Sequence, residues 1–288
     1  MTEPAVKYPS FVHRILPALQ RIGIDHEKIA KSTALIVGAG GLGSRIVTYL
    51  ARYPLREIRV IDNGNVEWEN VGYQNYPGDV VGKPKAVAAE EVSRRLYPWA
   101  NVRGVVGEAP DLGWNIVLGN IGIKYDLEKR LGFIEDLVKS SDLVIVATDT
   151  LGSRVAVWLT AMALNKPFID TGFRENYGHI FIWLPGFMCP LDYRDVGRES
   201  FTRSEPGYPV EPFTADLIAL VTSKLALHVL NGDIKEAVMV EVKADIKSME
   251  SRELIQIYPW TAGRCRHYDN AQKSVAQAIR NLVDSKGQ

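Results

Sequence analysis

The sequence predicts a doubly wound α/β fold: a mostly parallel, Rossmann-like sheet with helices on both faces. Three observations carry this reading. Short apolar, β-rich runs alternate with longer helical stretches between residues 34 and 170, the rhythm of strands joined by crossover helices. The first run, Ala34-Leu-Ile-Val-Gly-Ala-Gly-Gly-Leu-Gly-Ser44, breaks into a glycine turn and then opens a helix. The second, Glu57-Ile-Arg-Val-Ile-Asp62, ends in an acid 19 residues after Gly43.

In chain order, residues 11–31 read as an N-terminal helical segment. Strands are predicted near 34–38, 57–62, 101–106, 143–147 and 167–170, with helices near 42–53, 84–97, 127–140 and 151–164. Pro84 suits a first helical position, where its missing N–H costs nothing. Residues 107–126 lengthen one connection, as a surface insertion or as a flap over a partner or substrate. Residues 185–212, rich in Gly, Pro and charge, make a loop longer than connections usually are. A helix near 213–230, strands near 237–244 and 253–258 and a terminal helix near 269–284 complete a C-terminal extension. One domain over residues 1–288 is expected, with a core at 8–184, a crossover loop at 185–212 and a C-terminal part at 213–288.

The glycine turn is the first candidate site. Gly38, Gly40 and Gly43 fit G-x-G-x-x-G between a strand and a helix, and Gly41 adds another residue without a side chain. The first glycine permits the turn, the second lets backbone approach a phosphate, and the third lets helix and strand pack closely. Free N–H groups at the helix start favour an anion. Asp62, at the tip of the second strand, either accepts hydrogen bonds from ribose hydroxyls or caps the next turn. Up to this point NAD and ATP are served equally.

The blocks that follow separate them. Asn70 and Gln74 lie beyond Asp62, then Gly82-Lys-Pro84-Lys85-Ala86, and the fourth strand ends in Ala147-Thr148-Asp149. In order and spacing these resemble the E1-like ThiF/MoeB/HesA superfamily of adenylyltransferases, whose members activate a carboxylate with ATP. The resemblance implies ATP and Mg²⁺ as cofactors. It implies Lys85 on the phosphates, Asp149 as the metal ligand, and Asn70 and Gln74 as amide donors beside them. Read as isolated residues, Lys85 is equally a solvated lysine, Asp149 a helix cap and the two amides turn formers. The resemblance also implies a homodimer, in which Arg14 reaches the partner's nucleotide, and a loop 185–212 lying over the active site. The acceptor it implies is a carboxylate on a ubiquitin-like protein, a peptide, a modified tRNA base or a small molecule.

Two positions depart from the family pattern. Gly64 replaces its second acid, and Tyr73 replaces an arginine that resembles a finger on the ATP phosphates; a neutral phenol supplies no positive fork for phosphate oxygens. Arg14, Arg45 and Arg52 are the candidate substitutes. The departures motivate a second reading, a non-catalytic scaffold or binding subunit of the same fold. An NAD(P)-dependent oxidoreductase is a third, although it leaves the block from Asn70 to Lys85 unexplained.

Composition bounds the function. Lys plus Arg and Asp plus Glu each number 34, so no charge excess points to nucleic acid or an anionic membrane. The first residues lack the apolar core of a signal peptide. No apolar run is expected to reach the ~18 residues that span a bilayer. Two cysteines, Cys189 and Cys265, suggest no disulfide framework and make the cytoplasm the default compartment. Many relatives carry two C-x-x-C pairs that bind zinc, and this chain has one cysteine in each neighbourhood. A Cys₄ site therefore cannot form within one chain, and two buried free thiols are expected. A Cys₂His arrangement with His267 is the alternative.

Overall fold

The computed structural model of the chain describes residues 14–110, 123–174, 177–192, 211–243, 255–259, 265–275 and 278. Its centre is an eight-stranded sheet in the order β3-β2-β1-β4-β5-β6-β7-β8. The strands are β1 Thr33–Val37, β2 Glu57–Asp62, β3 Val102–Val106, β4 Leu143–Val146, β5 Phe168–Arg174, β6 Tyr177–Trp183, β7 Val238–Lys243 and β8 Ile255–Pro259. The first five pair in parallel, and β6 to β8 continue the sheet antiparallel. β1 is buried at every position, as a central parallel strand covered on both faces must be.

The helices are α1 Ile15–Arg21, α2 His26–Ala30, α3 Gly43–Leu50, α4 Lys85–Leu96, α5 Ile123–Lys139, α6 Leu151–Ala163, α7 Pro212–Asn231 and α8 Arg266–Lys273. Alternate strand residues feed two cores. Ala34 and Ile36 pack with α3, α4 and α7 on one face, while Leu35 and Val37 pack with α5, α6 and α8 on the other. In the second core, Phe168 stacks between Trp158 and Trp183 at centroid distances of 6.2 and 5.3 Å.

Several boundaries differ from the expected ones. The N-terminal segment is two helices, because the chain turns at Gly23 with φ +80°. Pro84 caps α4 and Lys85 is its first residue, one later than predicted. The chief omission from the sequence reading is β6. Its run Tyr177-Gly-His-Ile-Phe-Ile-Trp183 follows β5 so closely that the two read as one apolar stretch, yet they pair antiparallel from Phe168–Trp183 to Arg174–Tyr177.

The expectation about apolar runs also needs correction. α7 is 20 residues long, with a mean hydropathy of 1.5 in its most apolar window, enough by length and composition to cross a membrane. Its position explains the composition. Ala215, Ile218, Ala219, Ala226 and Leu227 are buried in the first core. Glu211 caps the helix by accepting from the Phe213 and Thr214 amides, and Gly232 ends it at φ +80°.

The predicted loop 185–212 and insertion 107–126 lie largely outside the described residues. The parts that are described include a 3₁₀ turn, Pro190–Asp192, and the opening of α5.

Candidate nucleotide-binding site

Strand order reverses between β1 and β4. Open α/β sheets bind ligands in the crevice beyond the carboxyl ends of the strands at such a switch point. Three of the predicted segments meet there: the glycine turn after β1, the tip of β2 and the Thr148–Asp149 segment after β4.

The glycines divide into two kinds. Gly38 sits at φ +96°, and a Cβ there would lie 2.7 Å from the Ala147 carbonyl oxygen. A Cβ on Gly43 would lie 1.8 Å from the Gly38 carbonyl oxygen. Both are required by the fold itself. A Cβ on Gly40 would meet nothing within 4 Å, and one on Gly41 only the Phe173 and Tyr73 rings at 3.6 and 3.9 Å. Packing therefore gives no reason for glycine at residue 40, which leaves open space where a phosphate would approach.

The turn is held from several sides. Asp62 accepts from the amide of Ala39 through Oδ2 and from that of Gly64 through Oδ1, both at 2.7 Å. It is thus a turn cap, and each oxygen keeps a second lone pair for a ribose hydroxyl. The buried Tyr76 hydroxyl donates to the Ala39 carbonyl at 2.7 Å and lies 3.1 Å from that of Lys85. Burial, reinforced by the Asp62 charge, pushes this phenol up, so it stays a donor.

The excursion between β2 and α4 closes on itself. Val66 donates to the Lys83 carbonyl, Gly82 to that of Val66, and Lys85 to that of Gly64. This brings Lys85 beside the tip of β2, with its Cδ 3.7 Å from a Cβ placed on Gly64. Among the described residues the Lys85 ammonium has no ion-pair partner. Asn70 is buried and its Oδ1 accepts from the Glu67 amide, closing a capping box with the Glu67 side chain. Gln74 is also buried; Nε2 donates to the Tyr73 hydroxyl at 2.7 Å, and Oε1 is buried without a hydrogen-bond partner. The turn-forming role is therefore real for Asn70, and Gln74 is committed to Tyr73.

Asp149 is exposed just after β4. The cap of α6 is Thr150, whose Oγ1 accepts from the Ser153 amide. The capping explanation for Asp149 is thereby removed, and among the described residues its carboxylate has no partner.

The proposed substitutes for the missing arginine fare differently. Arg45 is buried and committed: Nε donates to Asp216 at 2.8 Å, and a terminal nitrogen donates to the carbonyls of Gly41 and Tyr73. Arg52 stands past the far end of α3, where it donates to the Tyr97 hydroxyl and lies over the Tyr49 and Tyr97 rings. Both assignments are corrected: neither guanidinium is free for a phosphate. Arg14 is exposed at the start of α1. The turn between α1 and α2 is tied through Asn231 to the far end of α7.

A second polar group behind the site escaped the sequence reading. Asp170 on β5 accepts from Arg154 at 2.6 Å and Trp158 at 3.2 Å, and contacts His179 at 3.2 Å. Burial alone would push this carboxyl up, but Arg154 and His179 outweigh it and hold the value at about 2. Nothing in the local sequence marks this group, because β6 delivers His179. A lowered carboxyl contributes stability above its unfolded value near 4 and loses it as pH falls through 2, a swing of about 2 kcal/mol. Asp170→Asn should cost ~3–5 kcal/mol near neutrality by stranding the Arg154 guanidinium, whose side chain is only 12% exposed. In urea titrations, its gap from wild type should narrow by about 2 kcal/mol between about pH 5 and about pH 2. A gap independent of pH would show that Asp170 is not the ionised partner.

The fold defines a doubly wound α/β domain with a candidate ligand crevice at its switch point. The ThiF family profile matches residues 13–257, and the chain belongs to the ThiF family. It is 29% identical over 200 residues to ubiquitin-like modifier-activating enzyme 5 of Dictyostelium discoideum, covering 64% of this chain and 50% of that protein. It is 28% identical over 178 residues to the sulfur carrier protein ThiS adenylyltransferase of Bacillus subtilis, covering 59% and 47%. Identity to ubiquitin-like modifier-activating enzyme ATG7 of Gallus gallus is 30% over 153 residues, 52% of this chain and 20% of that protein. The chain thus spans half or less of the length of these curated relatives. Among solved structures, the fold is similar to that of E. coli MccB with ATP, with a TM-score of 0.64 at 18% identity, covering 91% of this chain and 74% of that one.

Proposed function

We propose that the protein is an ATP-dependent adenylyltransferase that activates a carboxylate as an acyl-adenylate. The observation that carries this reading is an open glycine position, Gly40, on the same carboxyl edge of the sheet as the Lys85 ammonium and the Asp149 carboxylate, neither of which has a partner among the described residues. A substrate carboxylate oxygen attacks the α-phosphorus of ATP, and the bond to the β-phosphate breaks to release pyrophosphate. The carboxylate is already ionised at neutral pH, so no general base is needed. Positioning and neutralisation of phosphate charge suffice.

In this scheme the glycine-turn amides face the phosphates, Asp62 receives the ribose hydroxyls and Lys85 follows the transferred charge. Asp149 is the residue that would hold Mg²⁺, an oxygen-seeking ion suited to one carboxylate plus phosphate oxygens; when bound it neutralises phosphate charge. Gly64, which departs from the family pattern, lies against the Lys85 stem. An acid at that position would sit beside the Lys85 stem, whereas glycine leaves the ammonium unpaired. The printed names of the relatives, a ThiS adenylyltransferase and ubiquitin-like modifier-activating enzymes, support the same class of chemistry. A protein or peptide carboxyl terminus is the acceptor class they favour. A homodimer would allow Arg14 to act across the interface, and two buried cysteines outside any disulfide are in keeping with a cytoplasmic protein.

The scaffold reading rests on Tyr73, whose hydroxyl is occupied by Gln74 while Arg45 is spent on Asp216. Pyrophosphate exchange decides between the two. Acceptor-dependent exchange of label into ATP is expected, with ATP and not NADH binding in calorimetry. If Lys85 suffices, Tyr73→Arg should change exchange by less than ~3-fold. If an arginine is wanting, the variant should gain ~10-fold or more, since such groups are worth up to ~10³–10⁵ in related chemistry. Exchange absent in both proteins with every acceptor class would favour the scaffold.

A further inference from the structure

A second cluster of reactive side chains lies in the other core, where the turn after β6 meets the start of α8. Cys189 and Asp192 come from Cys-Pro-Leu-Asp192, and Cys265 and His267 from Cys-Arg-His267. The sequence pointed to three of them; Asp192 is added by the 3₁₀ turn that swings it back towards Cys189.

The geometry is that of a closed cage. One ligand atom from each residue lies within 4.8 Å of the other three. His267 Nδ1 is 3.6 Å from Cys189 Sγ, 4.0 Å from Cys265 Sγ and 3.0 Å from Asp192 Oδ1. A tetrahedral zinc with ordinary bond lengths requires donor separations of about 3.4 Å between nitrogen and oxygen and about 3.6 Å between nitrogen and sulfur. The separations seen fall on either side of those edges. Both sulfurs and the imidazole are buried, and the Asp192 side chain is 7% exposed.

The cluster crowds three partners around one ring nitrogen. Nδ1 carries at most one proton, yet two sulfurs and a carboxylate oxygen converge on it. A divalent cation relieves that competition. The outer contacts are those that orient ligands. Asp192 Oδ2 accepts from the Cys189 amide at 2.7 Å, which aims Oδ1 inward. Cys265 Sγ accepts from the Tyr268 amide at 3.3 Å, a bond that favours thiolate. The donor set, two sulfurs, one nitrogen and one oxygen, suits zinc over the oxygen-seeking cations.

We propose that Cys189, Asp192, Cys265 and His267 bind one zinc ion, fixing α8 to the end of the sheet. Two thiols short of a Cys₄ set, the chain supplies a carboxylate and an imidazole from the same two turns. All four positions are taken by protein ligands, so the site is structural, and it shares no residue with the nucleotide site. The claim stands independently of adenylation.

The full-length chain should be expressed with zinc supplementation, purified without chelators and assayed for metal by plasma mass spectrometry. About one zinc per chain is expected, falling to background in the Cys189→Ser/Cys265→Ser double variant and in His267→Asn. On the wild-type protein, which avoids dependence on variant folding, mercurial titration of the two thiols should release zinc in step with modification. Replacement by Co²⁺ should give sulfur-to-metal charge-transfer absorption and tetrahedral d–d bands. Folded protein with less than about a tenth of a zinc per chain and freely reactive thiols would overturn the proposal. So would zinc that survives in the double variant, or a Cys189–Cys265 disulfide in the purified chain.

Discussion

Gly43→Ala is expected to destabilise the fold by ~4 kcal/mol or more, whereas Gly40→Ala should leave stability within ~0.5 kcal/mol and weaken ATP binding about 10-fold or more. The two residues are three apart in one motif, whose second glycine is expected to admit a phosphate and whose third is expected to let helix and strand pack closely. In the structure, a methyl on Gly43 meets a backbone carbonyl oxygen at 1.8 Å. Only separation of α3 from the glycine turn relieves that contact, and α3 is held by buried Ile46, Val47 and Leu50. At ~2–4 °C per kcal/mol, the melting temperature should drop by about 10 °C. The methyl on Gly40 enters empty space, so its cost arises when a phosphate competes for that volume. Thermal melts and calorimetry of the two purified variants test the pair. Equal loss of stability in both would mean that Gly40 is a packing residue and that the open volume is not a phosphate site.

Lys85→Met and Asp149→Asn should each lower pyrophosphate exchange by ~10²–10⁴ while leaving the melting temperature within a few degrees, about 2 °C. Methionine preserves the stem beside Gly64 and removes only the ammonium. Asparagine preserves the shape of Asp149, and the α6 cap remains because Thr150 makes it. The two losses should also differ in kind. For Asp149→Asn, the Mg²⁺ concentration giving half-maximal exchange should rise, as expected of a removed carboxylate ligand. For Lys85→Met that concentration should stay fixed while the maximal rate falls. If exchange survives both substitutions, catalysis does not use this crevice.

Much of this site was legible before any coordinates. A strand that ends in glycines and opens a helix is written in local residue types, and so is an acid at the next strand tip. Local backbone chemistry requires those residues, so the fold class and the glycine turn with Asp62 at the next strand tip could be read off the chain, whereas the roles proposed for Lys85 and Asp149 came from the family resemblance. Local sequence also set the boundaries of β2 and α7 to within a residue.

What it left open were the competitions between partners distant in sequence. Whether Arg45 is free for a phosphate depends on Asp216, which lies 171 residues away and holds it at 2.8 Å. One competition left open was local: Thr150, and not Asp149, takes the Ser153 amide. β6 was hidden because strand pairing is non-local. With β6 came His179, and so the buried Arg154–Asp170–His179 group. The cysteine cage needed the same step: Asp192 and His267 are 75 residues apart, and only the packing of α8 against the end of the sheet brings them to 3.0 Å. Local propensity and motif determine what each segment is and which residues are offered to a ligand. The tertiary structure decides which offers are already taken, because a buried charge or hydrogen-bonding group must find its partner wherever the fold places one.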